Sequence, residues 1–131
     1  MSIVNKPLPM EVISAFLGAL GKKDFDAALR YVSDDCEYTN IPFSTVHGPA
    51  GVRAVLEAFL TPTIANEIVV KHVAVDGPVV FIERTDRHLL ASGWVELPVI
   101  GVWEVIDGKI RLWRDYFNAP TIQKAWPTQL G

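Results

Sequence analysis

Apolar residues in this chain recur every three or four positions near its start and every second position over most of its remainder, so helices must precede a sheet. From Pro9 to Leu20, the residues Val12, Ile13, Phe16, Leu17 and Leu20 share one helical face, and Gly21 follows as a stop. Asp24 then stands as an N-cap before FDAALRYVS, where Phe25, Ala28, Leu29 and Val32 predict a second helix. CEYTNIPF changes to a period of two and reads as a short strand, with Cys36, Tyr38 and Asn40 on one face. After an HGPAG turn, Val52, Val55, Leu56, Phe59 and Leu60 predict a third helix that ends near Pro62. EIVVKHVAVDG, PVVFIERTDRHLL, WVELPVIGVWEVIDG and KIRLWRDYFN predict four strands, joined by Asp-Gly turns into an antiparallel meander. Helices followed by strands define an α+β class, expected as one domain over residues 1–131, with WPTQLG too short a tail to form another.

Composition narrows the partners. Half of the 131 residues are apolar, enough for a real core, and the formal net charge is -3 with the basic residues scattered. Nucleic acid is not expected, because phosphate binding requires a concentrated basic face. The single cysteine, Cys36, excludes an intrachain disulfide and leaves no thiolate pair for a metal; a buried thiol in a reducing compartment fits best. MSIVNKPLPM has no basic start leading into a long apolar run, and no segment reaches the roughly 18 apolar residues of a membrane span. A cytoplasmic protein without membrane contact is the expectation. His47 and His72 lack the spacing of metal ligands and read as structural.

Alternation within strands brings polar groups onto apolar faces. In VVFIERTDRH, the side containing Val80 and Ile82 continues through Arg84, Asp86 and His88. In KIRLWRDYFN, Asp115 shares its side with Trp113 and Phe117. Tyr38 and Asn40 share a third face and offer neutral groups able to hold a water molecule. Two aspartates in one apolar cavity require a cation between them, which Arg84 can supply, and their crowding keeps one proton on the pair. One acid and one base result, the division needed to open a three-membered ether. No metal or cofactor is required by that chemistry.

YTN at 38–40, RTD at 84–86 and WRDYF at 113–117, in that order, resemble the limonene-1,2-epoxide hydrolase family, and the similarity runs across nearly the whole chain. The resemblance implies a curved, mostly antiparallel mixed sheet shaped as a cone, with N-terminal helices over its concave face, as in cystatin-like, nuclear-transport-factor-like and ketosteroid-isomerase-like proteins. It implies Asp115 as general base, Asp86 as general acid, Arg84 as their bridge, and Tyr38 and Asn40 as helpers that hold the attacking water. It further implies one-step addition of water to a small or medium apolar epoxide, giving a vicinal diol, and a homodimer.

Leu20, Phe59, Val99, Trp103 and Phe117 are expected to line the substrate pocket, together with His88, which continues the Arg84 and Asp86 face. His88 could narrow or polarise that pocket. Two other functions remain open at this point. A ketosteroid-isomerase-like or polyketide-cyclase-like enzyme can use one buried carboxylate to move a proton beside a carbonyl, and a ligand-binding module can use the same floor with no chemistry.

Overall fold

A computed structural model describes residues 6–127. Residues 1–5, where no leader is expected, and Thr128–Gly131, most of the WPTQLG tail, lie outside the described residues. Helix α1 (Pro9–Gly21) opens with proline, whose fixed φ suits a first turn, and Glu11 Oε1 accepts the Leu8 N–H at 2.8 Å. Its buried stripe is the expected Val12, Ile13, Phe16, Leu17 and Leu20. Asp24 caps α2 (Phe25–Leu29) by accepting the Ala27 N–H at 3.1 Å. This helix is shorter than its periodicity predicts. Val32 instead opens β1 (Val32–Asn40) and pairs with Ile110, so long-range strand pairing overrides local helical spacing.

The short strand β2 (Thr45–His47) folds back on β1, and α3 (Gly48–Leu60) follows without a gap. The HGPAG segment is therefore mostly the first turn of α3 rather than a turn before it. Pro49 suits that turn, and Gly48 takes φ +70° where an added Cβ would come within 3.0 Å of the Asp34 carbonyl. Four long strands complete the sheet: β3 (Ala65–Asp76), β4 (Val79–Leu90), β5 (Gly93–Ile106) and β6 (Lys109–Tyr116). They form the expected antiparallel meander. Asp107 and Gly108 both take positive φ in the last hairpin, as a tight primed turn demands. A seven-residue helix, α4 (Ala119–Ala125), closes the described chain and was not foreshadowed by any apolar period.

The strand order is β2-β1-β6-β5-β4-β3, with β1 and β6 parallel and every other pair antiparallel. Register between β1 and β6 sets Tyr38 beside Trp113 and Asn40 beside Asp115. Bulges interrupt β1, β3 and the β5–β6 pairing, and such irregularities bend a sheet. Pro98 sits in β5 beyond the last β6 pair at Ile100, where no neighbour on that side requires its missing N–H. Helices α1 and α3 cover one face, and Phe16, Val52, Ile82, Trp103 and Trp113 join the resulting core. A second cluster of Leu90, Leu97, Val99, Ile122 and Trp126 lies under α4. No helix among the described residues is long and apolar enough to cross a membrane.

Candidate active site

Strand alternation delivers Arg84 and Asp86 from β4 and Asp115 from β6 to the helix-covered side. Arg84 is 3% exposed and joins both carboxylates. Its Nε donates to Asp86 Oδ1 at 2.9 Å and its Nη2 to Asp86 Oδ2 at 3.3 Å. Toward Asp115, Nη2 donates to Oδ2 at 3.0 Å and Nη1 to Oδ1 at 3.4 Å. Trp113 Nε1 adds a donor to Asp115 Oδ1 at 2.8 Å. A planar cation with a fork on two sides satisfies both acids, which an ammonium could not do in the same geometry.

Beneath this triad lies an aromatic stack. Tyr38 lies flat on Trp113, with ring centroids 3.8 Å apart and planes 7° apart, while Phe16 meets Trp113 edge-on. Trp103 stacks on the other side of the group at 6.0 Å from Trp113 and places its ring 5.4 Å from the Arg84 guanidinium carbon. Gly101, the β5 partner of Asp115, makes this packing possible. A Cβ there would overlap the Trp103 ring and stand 2.5 Å from Arg84 Nη1.

Burial pushes the Asp115 carboxyl above the usual carboxylate range, against the opposing pull of Arg84 and the Trp113 N–H, and the nearby Asp86 charge adds to the rise. For Arg84, burial alone would favour losing the proton, but Asp115 and Asp86 outweigh it and hold the guanidinium more firmly charged than usual. Burial and the Asp115 charge also push the Tyr38 phenol well above its ordinary value, so it remains a neutral hydroxyl. Asp115 is thus buried and anchored by a cation.

The triad opens onto a cavity of about 280 Å³ whose floor includes Tyr38, Asn40, Asp86 and Asp115, and whose walls are almost wholly apolar. Val99 and Phe117 line it as expected, and Phe59 projects into it from α3. Behind the carboxylates is a smaller chamber of about 60 Å³, reached by Leu20, Phe59, Arg84 and His88. Tyr38, Leu56, Phe59, Asp86 and Asp115 border both spaces. Trp103 lines neither: alternation correctly turns it inward, but it is fully buried one layer below, under the guanidinium. Sequence reasoning passed over Phe43, Val55 and Leu97 on the larger cavity and Asn66 on the smaller one. Leu97 was recoverable from its alternation with Val99; Phe43, at a bend after β1, left no periodic signal.

His47 and His72 are exposed near Glu37 and Glu83 respectively, and no group of acidic, histidine or cysteine residues among the described residues could hold a metal. Cys36 is buried, and burial pushes its thiol up to about 11.

The model of the limonene-1,2-epoxide hydrolase catalytic domain matches residues 7–128. The chain belongs to the limonene-1,2-epoxide hydrolase family. That membership places it among hydrolases that act on epoxides. It is 37% identical over 106 residues to epoxide hydrolase EphG of Mycobacterium tuberculosis, covering 81% of this chain and 70% of that protein. The solved structure of an LEH-like epoxide hydrolase from M. tuberculosis superposes with a TM-score of 0.77 at 34% identity, over 88% of this chain and 86% of that one. A SnoaL-like polyketide cyclase structure from Shewanella denitrificans matches at TM-score 0.81 but only 12% identity, over 91% and 96% of the two chains, and so shares the fold alone.

Proposed function

We propose that this protein adds water to a small or medium apolar epoxide in one step, giving a vicinal diol by paired acid and base catalysis. The observation that carries the reading is Arg84 bridging Asp86 and Asp115 at the floor of an apolar cavity. Asp115 accepts hydrogen bonds from two Arg84 nitrogens and from Trp113, which fix the position of its carboxylate on the cavity floor. The elevated affinity of Asp115 for a proton makes it the stronger base.

Water held by Asp115, Asn40 and the Tyr38 hydroxyl loses a proton to Asp115 as its oxygen bonds to an epoxide carbon. The carbon–oxygen bond of the ring breaks in the same event, and Asp86 donates its proton to the departing alkoxide. Arg84 keeps both acids at fixed positions, so little reorganisation accompanies the transfer of charge. An isomerase would need one base facing an oxyanion hole; here the cation is engaged by both carboxylates.

The family resemblance also supports a homodimer. Val69, Phe81, Ile100 and Tyr116 stand exposed on the sheet face away from the helices and supply an apolar surface for a second copy. The activity is tested by measuring diol formation from cyclic and linear epoxides in metal-free buffer, with the unaltered chain and Asp115→Asn side by side. Diol formed only by the unaltered chain supports the reading, and no diol from any epoxide refutes it.

A further inference from the structure

The smaller chamber contains a polar group that the hydrolysis above leaves unused. His88 follows Arg84 and Asp86 on the same face of β4, is only 4% exposed, and borders the chamber with Leu20, Leu60, Asn66 and Ile68. A chain of hydrogen bonds with one direction fixes its tautomer. The Thr63 hydroxyl donates to the Leu60 carbonyl at 2.5 Å, so the Thr63 oxygen accepts from Asn66 Nδ2 at 2.8 Å. That turns Asn66 Oδ1 toward His88 Nδ1, 2.6 Å away. An amide oxygen can only accept, so Nδ1 carries the hydrogen and Nε2 carries the lone pair. Burial, and then the Arg84 charge, lower the His88 pKa to about 4, which keeps the ring neutral near pH 7.

Nε2 is buried and has no hydrogen-bond partner among the described residues. The rings packed against His88 offer none. Phe59 has no donor, and Trp126 directs its N–H to the Phe59 carbonyl at 2.7 Å. A buried acceptor without a donor is unfavourable, and in a native fold such an atom calls for a partner from outside the protein.

We propose that the smaller chamber is a recognition subsite for the end of the substrate remote from the epoxide ring, where His88 Nε2 accepts a hydrogen bond from a substrate hydroxyl. The proposal rests on the epoxide-hydrolase reading and narrows its substrate class to epoxy alcohols. Asp86 and Asp115 border both spaces, so a ring opened between them can extend a substituent inward. Residues two apart on a strand face are separated by roughly 7 Å, which sets the spacing between the epoxide oxygen near Asp86 and the hydroxyl near His88. A space of about 60 Å³ suits a hydroxyalkyl end.

The test compares 5,6-epoxyhexan-1-ol with its methyl ether, which fills similar space but cannot donate. In the unaltered protein kcat/KM for the alcohol should exceed that for the ether by about tenfold, the worth of one buried hydrogen bond. In His88→Leu the ratio should fall to near one, whatever the absolute rates. No preference in the unaltered protein, or a preference that survives in His88→Leu, overturns the proposal. The ¹⁵N resonance of His88 Nε2 in the unaltered protein gives a second readout that needs neither turnover nor a folded variant. A shift with the alcohol but not with the ether supports the subsite, and an unmoved resonance overturns it. If no epoxide is hydrolysed, the functional reading fails, and this resonance still decides the subsite separately.

Discussion

Replacing Gly101 with alanine adds one methyl group at the point where β5 passes beneath the guanidinium. The new Cβ would stand 2.5 Å from Arg84 Nη1 and closer still to the Trp103 ring, whereas ordinary contact begins at 3.4 Å, so the cation must retreat by nearly 1 Å and the Trp103 ring must also turn. Neither movement is free. Trp103 is fully buried, and Arg84 is held by two carboxylates at 2.9 and 3.0 Å. Overpacking of this kind costs about 1–3 kcal/mol, which corresponds to a fall of about 4–12 °C in Tm for a chain of this length. A shift of about 1 Å in the group that positions both acids should lower kcat/KM for epoxide hydrolysis by about a hundredfold. Thermal unfolding and diol production on the same Gly101→Ala preparation would measure both effects. A folded variant with normal turnover would refute the argument that close packing at Gly101 sets the Arg84 position.

Asp115→Asn and Asp86→Asn should each reduce turnover by about 10²–10⁴-fold while retaining the native circular dichroism spectrum, because each removes a proton-transfer role at nearly constant volume. The acid limb of kcat/KM should lie above the ordinary carboxylate range, since activity is lost as falling pH protonates the raised Asp115; a limb at an ordinary value contradicts its role as base. His88 titrates lower folded than unfolded, so its contribution to stability is complete above about pH 6.5 and declines as pH falls toward 4, by at most about 3 kcal/mol. Urea unfolding across that window should show a shallower pH dependence in His88→Leu. Phe81→Glu should give a light-scattering mass of one copy where the proposed homodimer gives two, because it places a charge in the exposed apolar sheet face.

The long elements were legible because burial imposes a period. The stripe of α1 and the inward series Val80, Ile82, Arg84, Asp86 and His88 follow directly from it. Where a segment is too short for a period to accumulate, as in the three residues of β2 or the seven of α4, nothing distinguished it from a loop. Val32 shows a different failure: its spacing suits a helix, but its partner Ile110 lies far along the chain and cannot be read locally. Within the site, alternation indicates the face of a residue but not its depth, which is why Trp103 appeared as a wall and is instead a support under Arg84. Gly101 was unreadable for a related reason. A strand glycine signals a close approach without naming what approaches.

Strand β6, the last strand among the described residues, occupies an interior place in the sheet, between β1 and β5. Without it the sheet is split into the β1–β2 hairpin and the β3–β4–β5 meander, against which α3 and α1 pack respectively. The loop that closes when β6 pairs with β1 spans most of the chain, a slow event by its entropy. The same strand brings Asp115 and Trp113, so no half-made cavity with a working base exists at any earlier stage. Pairing of β6 with both of its neighbours is therefore the step that completes the sheet and the site together.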